Sequence, residues 1–469
     1  NNIISNNNHG ISLSSSSNNN ITSNYISSNK KTGIYLGSST NNNITSNNIS
    51  SNTEDGIYLS SSSSNNITLN NISSNSHNGI AFYSSSNGNN ITFNNIILNN
   101  WSGIRLKSSD NNTIYHNNIS SNTNNGIYLS SLNNTTIQFN NITNNRHGIR
   151  LESSSNNTIS YNTISHCGAA GYAFYSDEYS VNNSIYYMTL SSYPTTISFI
   201  YGNGIAINGT TEPHPSNMIP IGKYVEIDPV TGNSWINLTV YYQERDVYHI
   251  KEDTLGLYHW NDSTSTWEDV GADLDTSSNE LNANLSSFSQ YGVFATEMNV
   301  SIHLFNPWNL ITVPVKNSFT AKTLAEQMGL PNYSVITRWD AEKQRYYDYI
   351  VGIDTPGNPD FEIEDGIAYF VGVKYPTWFN ITGQPIDNIS ITLKPGLNAI
   401  GWTGVDNTTA EEFGENITGC MYVAKWNETT QEFETHMIGT PSHNFAIETG
   451  RGVFVGIEGS NDVMWYGGR

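Results

Sequence analysis

Through residues 1–190, aliphatic side chains return every 22–24 positions in three columns. The first opens Gly-Ile-x-Leu runs such as Ile11 and Leu13, Ile34 and Leu36, Ile57 and Leu59, and Ile104 and Leu106. It follows the glycines Gly10, Gly33, Gly56, Gly79, Gly103, Gly126, Gly148 and Gly171. The second is Ile21, Ile44, Ile67, Ile91, Ile114, Ile137 and Ile159, and the third is Ile4, Ile26, Ile49, Ile72, Ile96, Ile119, Ile142 and Ile164. Inside each short run, apolar and polar residues alternate with period two, the signature of a strand, and β-branched Ile suits that backbone. Three strands per turn predict a parallel β-helix. Leucine-rich repeats share the period, but they need more Leu and a helical return, whereas these returns are short and polar. The repeat glycine either takes a φ that other residues avoid or permits close approach at a corner.

Asparagine follows the same period. Asn24, Asn47, Asn70, Asn94, Asn117, Asn140 and Asn162 sit near the third strand, and Asn29, Asn52, Asn75, Asn99 and Asn122 follow it. A turn amide pointing inward without a partner costs about 1–3 kcal/mol, so the repetition makes sense as a ladder of amides bonded from rung to rung. At ~4.8 Å per rung, eight turns make a rod of roughly 38 Å.

The pattern Gly-Ile-x-Leu, then a Ser-rich stretch, then Asn-Asn-x-Ile-x-x-Asn-x-Ile, resembles NosD-like right-handed β-helix repeats. The resemblance covers residues 1–190 and implies the β-helix fold and the company of archaeal, methanogen-type surface proteins. The architecture hosts lyases, epimerases, adhesins and passive scaffolds, so it does not by itself assign an activity.

Beyond the repeats, residues 191–298 hold alternating strands such as Trp235 to Val240 and Leu255 to Trp260, separated by turn signals, and predict a β-sandwich. Residues 299–385 and 386–469 read as a tandem duplication of β-rich modules, each with a short helix. Arg338-Trp339-Asp340 matches Lys425-Trp426-Asn427, Thr320-Ala321 matches Thr409-Ala410, Phe361 to Glu364 matches Phe445 to Glu448, and Trp378 matches Trp465. The predicted fold class is therefore mainly β: a right-handed parallel β-helix, a β-sandwich and two tandem modules.

Three features carry candidate chemistry. The first is the Asn-x-Ser/Thr sequons at Asn20, Asn43, Asn48, Asn66, Asn71, Asn90, Asn118 and Asn141 in the helix, and at Asn208, Asn237, Asn261, Asn284, Asn299, Asn332, Asn380, Asn388, Asn407, Asn416 and Asn427 beyond it. Inside the repeats Asn-Ile-Thr falls out of composition; outside them it does not, which favours covalent N-glycans on an extracellular protein. The second is the x of Gly-Ile-x-Leu, which reads Ser12, Tyr35, Tyr58, Ala81, Arg105, Tyr128, Arg150 and Ala173. This Tyr/Arg stripe suits a neighbouring subunit or a stacked sugar, against the plainer reading of a solvated strand face. The third is carboxylates: Glu54 and Asp55, Asp110, Glu152, and Asp177 with Glu178. They lie on different turns and do not recur on adjacent rungs, so no catalytic cluster is assigned. His9, His77 and His147 are scattered, which argues against a metal site.

The formal net charge is −21, which disfavours nucleic acid and anionic membrane as partners. Charged residues make up only 13%, yet the periodicity argues against disorder. Cys167 and Cys420 fall in different regions, so a disulfide framework and a Cys-based zinc site are excluded. No apolar run is long enough to span a membrane. No cofactor is implied. A structural calcium suits the acidity, but Asp354 to Asp365 lacks the calcium-loop spacing and no site is identified. The chain opens at Asn1 without Met or signal peptide and inside a turn, so either further rungs precede it or that edge docks on a second copy. The function expected from these features is a structural or adhesive glycoprotein of the cell surface that self-associates into a filament, sheath or surface layer. The alternative is a protein that binds or acts on extracellular polysaccharide.

Overall fold

The computed structural model describes residues 1–168, 170–190, 194–210, 215, 217–353 and 355–467. Asp354 and the start of the predicted sandwich at residues 191–193 lie outside the described residues. The chain divides into two compact units, Asn1–Pro213 with Gly222–Gln243 and Gly256–Val293, and His214–Ile221 with Glu244–Leu255 and Phe294–Arg469.

The first unit is built on a parallel β-solenoid with three strands per turn. One column of strands runs from Ile11–Ser14 through Ile34–Gly37 and its repeats to Phe174–Ser176. The second runs from Asn20–Thr22 to Thr158–Ser160, and the third from Asn2–Ile4 to Thr163–Ser165. Each Ile stacks on the Ile one turn away, for example Ile44 on Ile67 and Ile49 on Ile72, and these side chains are wholly buried. Burying one such side chain is worth roughly 1.5–3 kcal/mol.

The amide ladders lock the turns. Asn70 receives the backbone N–H and Nδ2 of Asn47 on its Oδ1, at 2.9 and 3.0 Å. Its own Nδ2 donates to Asn94 Oδ1 and to the Ile44 carbonyl. The same relay runs from Asn29 through Asn52, Asn75, Asn99 and Asn122 to Asn145. A third ladder, absent from the sequence reading, links Asn19, Asn42, Asn65, Asn89 and Asn112.

The structure corrects three details of the expected register. The third column begins at Ile3, which pairs with Ile26, while Ile4 is 47% exposed. At the last turn Ala173 takes the repeat-glycine position, because Ile149 pairs with Phe174 and Arg150 with Tyr175. Gly171 instead lies against the Arg146 carbonyl, where a Cβ would come within 1.5 Å of the oxygen. The other repeat glycines serve close approach rather than positive φ: a Cβ on Gly103 would sit 2.4 Å from Ile119 Cγ2 and 2.9 Å from the Gly126 carbonyl.

The predicted sandwich strands continue the solenoid's own sheets. Ser184–Leu190 pairs parallel with the last turn, and Thr195–Gly202, Trp235–Tyr241 and Glu280–Leu285 then follow antiparallel. On another face Phe174–Ser176 pairs antiparallel with Ile205–Asn208, and that strand with Ile219–Pro229. Phe174, Phe199 and Tyr201 close the core edge to face. Tyr201 donates to Ser176 Oγ at 2.7 Å, and burial pushes its phenol up to about 12.

The second unit contains the two modules, and the fold repeats. Met298–Leu304 pairs with Thr377–Gly383 in one, and Ile389–Leu393 with Val463–Gly467 in the other. Each has a four-stranded sheet: Trp308–Ile311, Tyr369–Gly372, Val335–Asp340 and Arg345–Ile350, against Gly396–Gly401, Gly452–Ile457, Cys420–Asn427 and Glu432–Met437. The short helices Ala321–Gln327 and Ala410–Glu415 both start with a capping box, at Thr320 and Thr409. Strand register shifts one expected match. Leu304 opposes Thr377 and Leu393 opposes Val463, so buried Trp465 corresponds to buried Phe379, and exposed Trp378 to Met464. One residue of slip exchanges the faces of a strand.

The modules contact each other reciprocally. Trp339 Nε1 donates to the Leu397 carbonyl at 2.8 Å, and its counterpart Trp426 donates to the Trp308 carbonyl at 3.0 Å. Gln344 brackets the backbone of Leu397, and Gln431 that of Trp308. Thr312 N–H meets the Gly450 carbonyl and Gly401 N–H the Gly366 carbonyl. Such exchange of equivalent partners is the mark of an approximate two-fold axis.

Candidate functional site

The Tyr/Arg stripe forms a stack. Tyr35 and Tyr58 lie 5.6 Å apart at 9° between planes, and His9 extends the stack below Tyr35. Ala81 is fully buried, and Tyr83, two residues along, fills its place 5.3 Å from Tyr58. Arg105 lies over Tyr83 and Tyr128, at 5.7 and 5.3 Å. Tyr128 donates to Glu152, which also accepts from Arg150 at 2.9 Å, and Arg150 covers Tyr175 at 4.9 Å. Every named member is half-buried between its neighbours. Burial, then the Glu152 hydrogen bond, raises the Tyr128 phenol above its ordinary value, so it holds its proton more tightly.

A second ladder, on another edge of the solenoid, is more exposed. The residue two positions after each second-column Ile has positive φ, from 49° to 57° at Leu69, Phe93, His116, Phe139, Tyr161 and Tyr187. Each of the first five is followed directly by a ladder asparagine, so the left-handed corner turns that amide inward. Bulky residues rarely accept this conformation, which costs about 1–2 kcal/mol each. Here the rings stack at 5.1, 5.1, 4.9 and 5.0 Å from Phe93 to Tyr187, and Tyr241 continues the row at 4.8 Å. A stacked aromatic pair returns about 0.5–1.5 kcal/mol. Phe93, Phe139, Tyr161 and Tyr187 remain 53%, 41%, 48% and 40% exposed. Ring faces are consumed by the stack, so the ridge offers solvent a row of ring edges roughly 25 Å long at ~5 Å per rung.

One expected separation fails: Leu151 pairs with Ser176, so Asp177 follows on the rung next to Glu152, while Asp110 and the Glu54–Asp55 pair lie on other turns. Glu54 accepts from Thr32 at 3.1 Å, Asp110 from Asn133 N–H at 2.7 Å, and Asp177 from Ser153 N–H and Ser180 Oγ. Asp55 is buried in the column before the repeat glycine, where it accepts from Asn78 N–H and Nδ2. Burial raises its carboxyl above the ordinary value despite those two bonds.

None of the candidate sequon asparagines is buried; Asn43, Asn66, Asn208, Asn237, Asn261 and Asn427 are half-buried and the others exposed. Those of the solenoid sit on neighbouring rungs. Asn66 bonds to Asn43, Asn71 to Asn48 and Asn141 to Asn118. At ~4.8 Å between rungs, adjacent glycans would collide, so each of the two solenoid columns, Asn20 to Asn90 and Asn48 to Asn141, has room on alternate turns at most.

Residues 1–105 match the family described as right handed beta helix region, and residues 78–193 the family described as periplasmic copper-binding protein (NosD). The solenoid is thus a NosD-like right-handed β-helix. No curated protein sequence matches the chain. Solved structures with a similar segment include the periplasmic alginate epimerase AlgG, with 18% identity, a TM-score of 0.32, and 38% of this chain on 47% of that one. The Azotobacter vinelandii mannuronan C-5 epimerase AlgE6 A-module matches at 17% identity and a TM-score of 0.35, with 39% on 55%. The Dettilon tailspike protein matches at 12% identity and a TM-score of 0.27, with 80% on 82%. The chain spans about half the length of the first of these.

The His and Cys side chains of the NosD-matched segment are His116, His147, His166 and Cys167. His116 is sandwiched between Phe93 and Phe139, and His147 Nδ1 accepts the Tyr172 N–H. Burial pushes the Cys167 thiol up to about 11. Among the described residues no three His, Cys, Asp or Glu side chains converge on one point, and no helix is long and apolar enough to cross a membrane.

Proposed function

We propose that this protein is a non-catalytic, extracytoplasmic building block of a cell surface, of the archaeal type that the repeats resemble, glycosylated at its exposed sequons. Copies lie along one another through the aromatic ridge of the solenoid. The observation that carries this reading is the ridge itself. On a surface rich in Asn, Ser and Thr, the chain places Leu69, Phe93, Phe139, Tyr161 and Tyr187 outward in one continuous row and in a conformation that bulky residues avoid. The ridge exposes on the order of 500 Å² of apolar surface, the size at which patches mark contacts with another molecule.

A second copy is the favoured occupant, because a straight row with a repeat of ~5 Å is matched best by another row with the same repeat. At a net charge of −21, two copies repel, so salt or divalent cations should strengthen the contact. The test is electron microscopy of the native material. Filaments, sheaths or a lattice support the reading; isolated particles under all salt conditions contradict it. Intact mass measured on the same material should exceed that of the bare polypeptide.

A further inference from the structure

The module pair departs from its own symmetry on one side. Six rings gather at the approximate two-fold axis: Trp339, Tyr346 and Phe370 from the first module, and Trp426, Phe433 and Phe454 in the equivalent places of the second, with neighbouring centroids 4.7–6.3 Å apart. Around them the equivalent positions differ. Trp308 stands opposite Leu397, Thr337 opposite Ala424, Tyr346 opposite Phe433, and Asp348 opposite Thr435. In each case the first module carries the larger ring or the better hydrogen-bonding group. These four residues, with Phe370, Trp426 and Phe433, line an open cavity of about 410 Å³. Tyr346 and Phe433 are 47% and 45% exposed there. Thr337 Oγ1 donates to Asp348 Oδ1 at 2.8 Å, which fixes the carboxylate at the edge of the rings.

We propose that this cavity is a binding site for a neutral pyranose within a glycan chain. A pyranose has apolar C–H faces and a hydroxyl rim. The rings meet the faces, and Asp348, an acceptor only, takes hydroxyl protons. The acidity of the chain disfavours uronic acids and sulfated sugars. The cavity is too large and too open to cage a small quaternary ammonium, the other ligand that aromatic rings beside a carboxylate attract. Unlike the stacked ridge of the solenoid, the rings here meet edge to face, and Tyr346 and Phe433 keep exposed ring surface for a ligand.

The site is independent of the ridge, and so is its test. The full chain is titrated by calorimetry and tryptophan fluorescence with cellotetraose, chitotetraose, maltotetraose, tetragalacturonate and choline. At least one neutral tetrasaccharide should bind and change the fluorescence, while tetragalacturonate and choline should not. Trp308→Leu and Asp348→Thr install the residues of the sister module and so keep the fold, and each should weaken binding at least tenfold. Absence of binding by every neutral tetrasaccharide, binding of choline or tetragalacturonate alone, or neutral-sugar binding unchanged in both variants would overturn the proposal. Substitutions in the ridge should leave this binding unchanged, so failure of either proposal is recognisable separately.

Discussion

The solenoid and the module pair both arise from repetition, but they use it differently. In the solenoid the repeat is a translation, so each side chain meets its own kind one rung away: Ile on Ile, Asn on Asn, ring on ring. In the pair the repeat is a rotation, so Trp339 meets Leu397 while Trp426 meets Trp308. Translation makes every rung dependent on both neighbours and produces long uniform surfaces. Rotation brings two copies of one surface together at an axis, where divergence of a single copy can open a cavity without disturbing the rest.

The contrast should appear first in the response to lost hydrogen bonds. Asn94→Leu strands the Asn70 backbone N–H inside the solenoid, takes an acceptor from the Asn70 amide and removes the Asn94 amide's own bonds to Ile67 and Asn117. It should cost about 4 kcal/mol, read as a lowered urea midpoint of the first unit. Gly103→Ala forces a methyl against Ile119 and the next turn's carbonyl and should cost about 2–3 kcal/mol in the same measurement. In the pair, Gln431→Ala and Gln344→Ala should each cost only about 1 kcal/mol, and nearly equally, because they hold equivalent backbones. A marked inequality between them would break the two-fold account.

The smallest effect has the opposite sign. Asp55→Asn keeps an acceptor for Asn78 and removes a buried charge, so it should stabilise the solenoid by about 1 kcal/mol at neutral pH. The Asp55 carboxyl is raised in the folded state, so its ionisation opposes folding: wild-type stability falls as pH rises from the ordinary Asp value through the raised one. The variant should lose that slope. A variant less stable than wild type at neutral pH would show that the charge itself is needed.

Much of the solenoid was legible because identical residues recur at a fixed period, and the Ile columns and two amide ladders could be read directly. Errors arose where identity stopped carrying the register. Ile3 and Ile4 are the same residue, and only pairing with Ile26 tells them apart. Gly171 kept the spacing while a longer last turn, from Ile149 to Phe174, moved the register to Ala173. The ridge varies in identity from Leu to Phe, His and Tyr, so a search for repeated residues passes over it. Its constant offset of two from the second Ile column was a usable signal. Tyr83 entered the predicted stripe from a neighbouring position because Ala81 left room, which depends on side-chain volume rather than pattern. The sugar cavity draws residues from both modules, and no reading of either alone brings Trp308 beside Phe433.

Sedimentation velocity tests the central claim that copies meet along the ridge. Phe93→Ser, Phe139→Ser and Tyr161→Ser combined return to this corner the serine that Ser23 and Ser46 already carry at the same φ, so the solenoid should stay folded. The wild-type chain should sediment as species that grow with concentration and with sodium chloride, and the triple variant as a monomer throughout. A wild-type chain that stays monomeric, or a folded triple variant that associates equally well, would contradict the account.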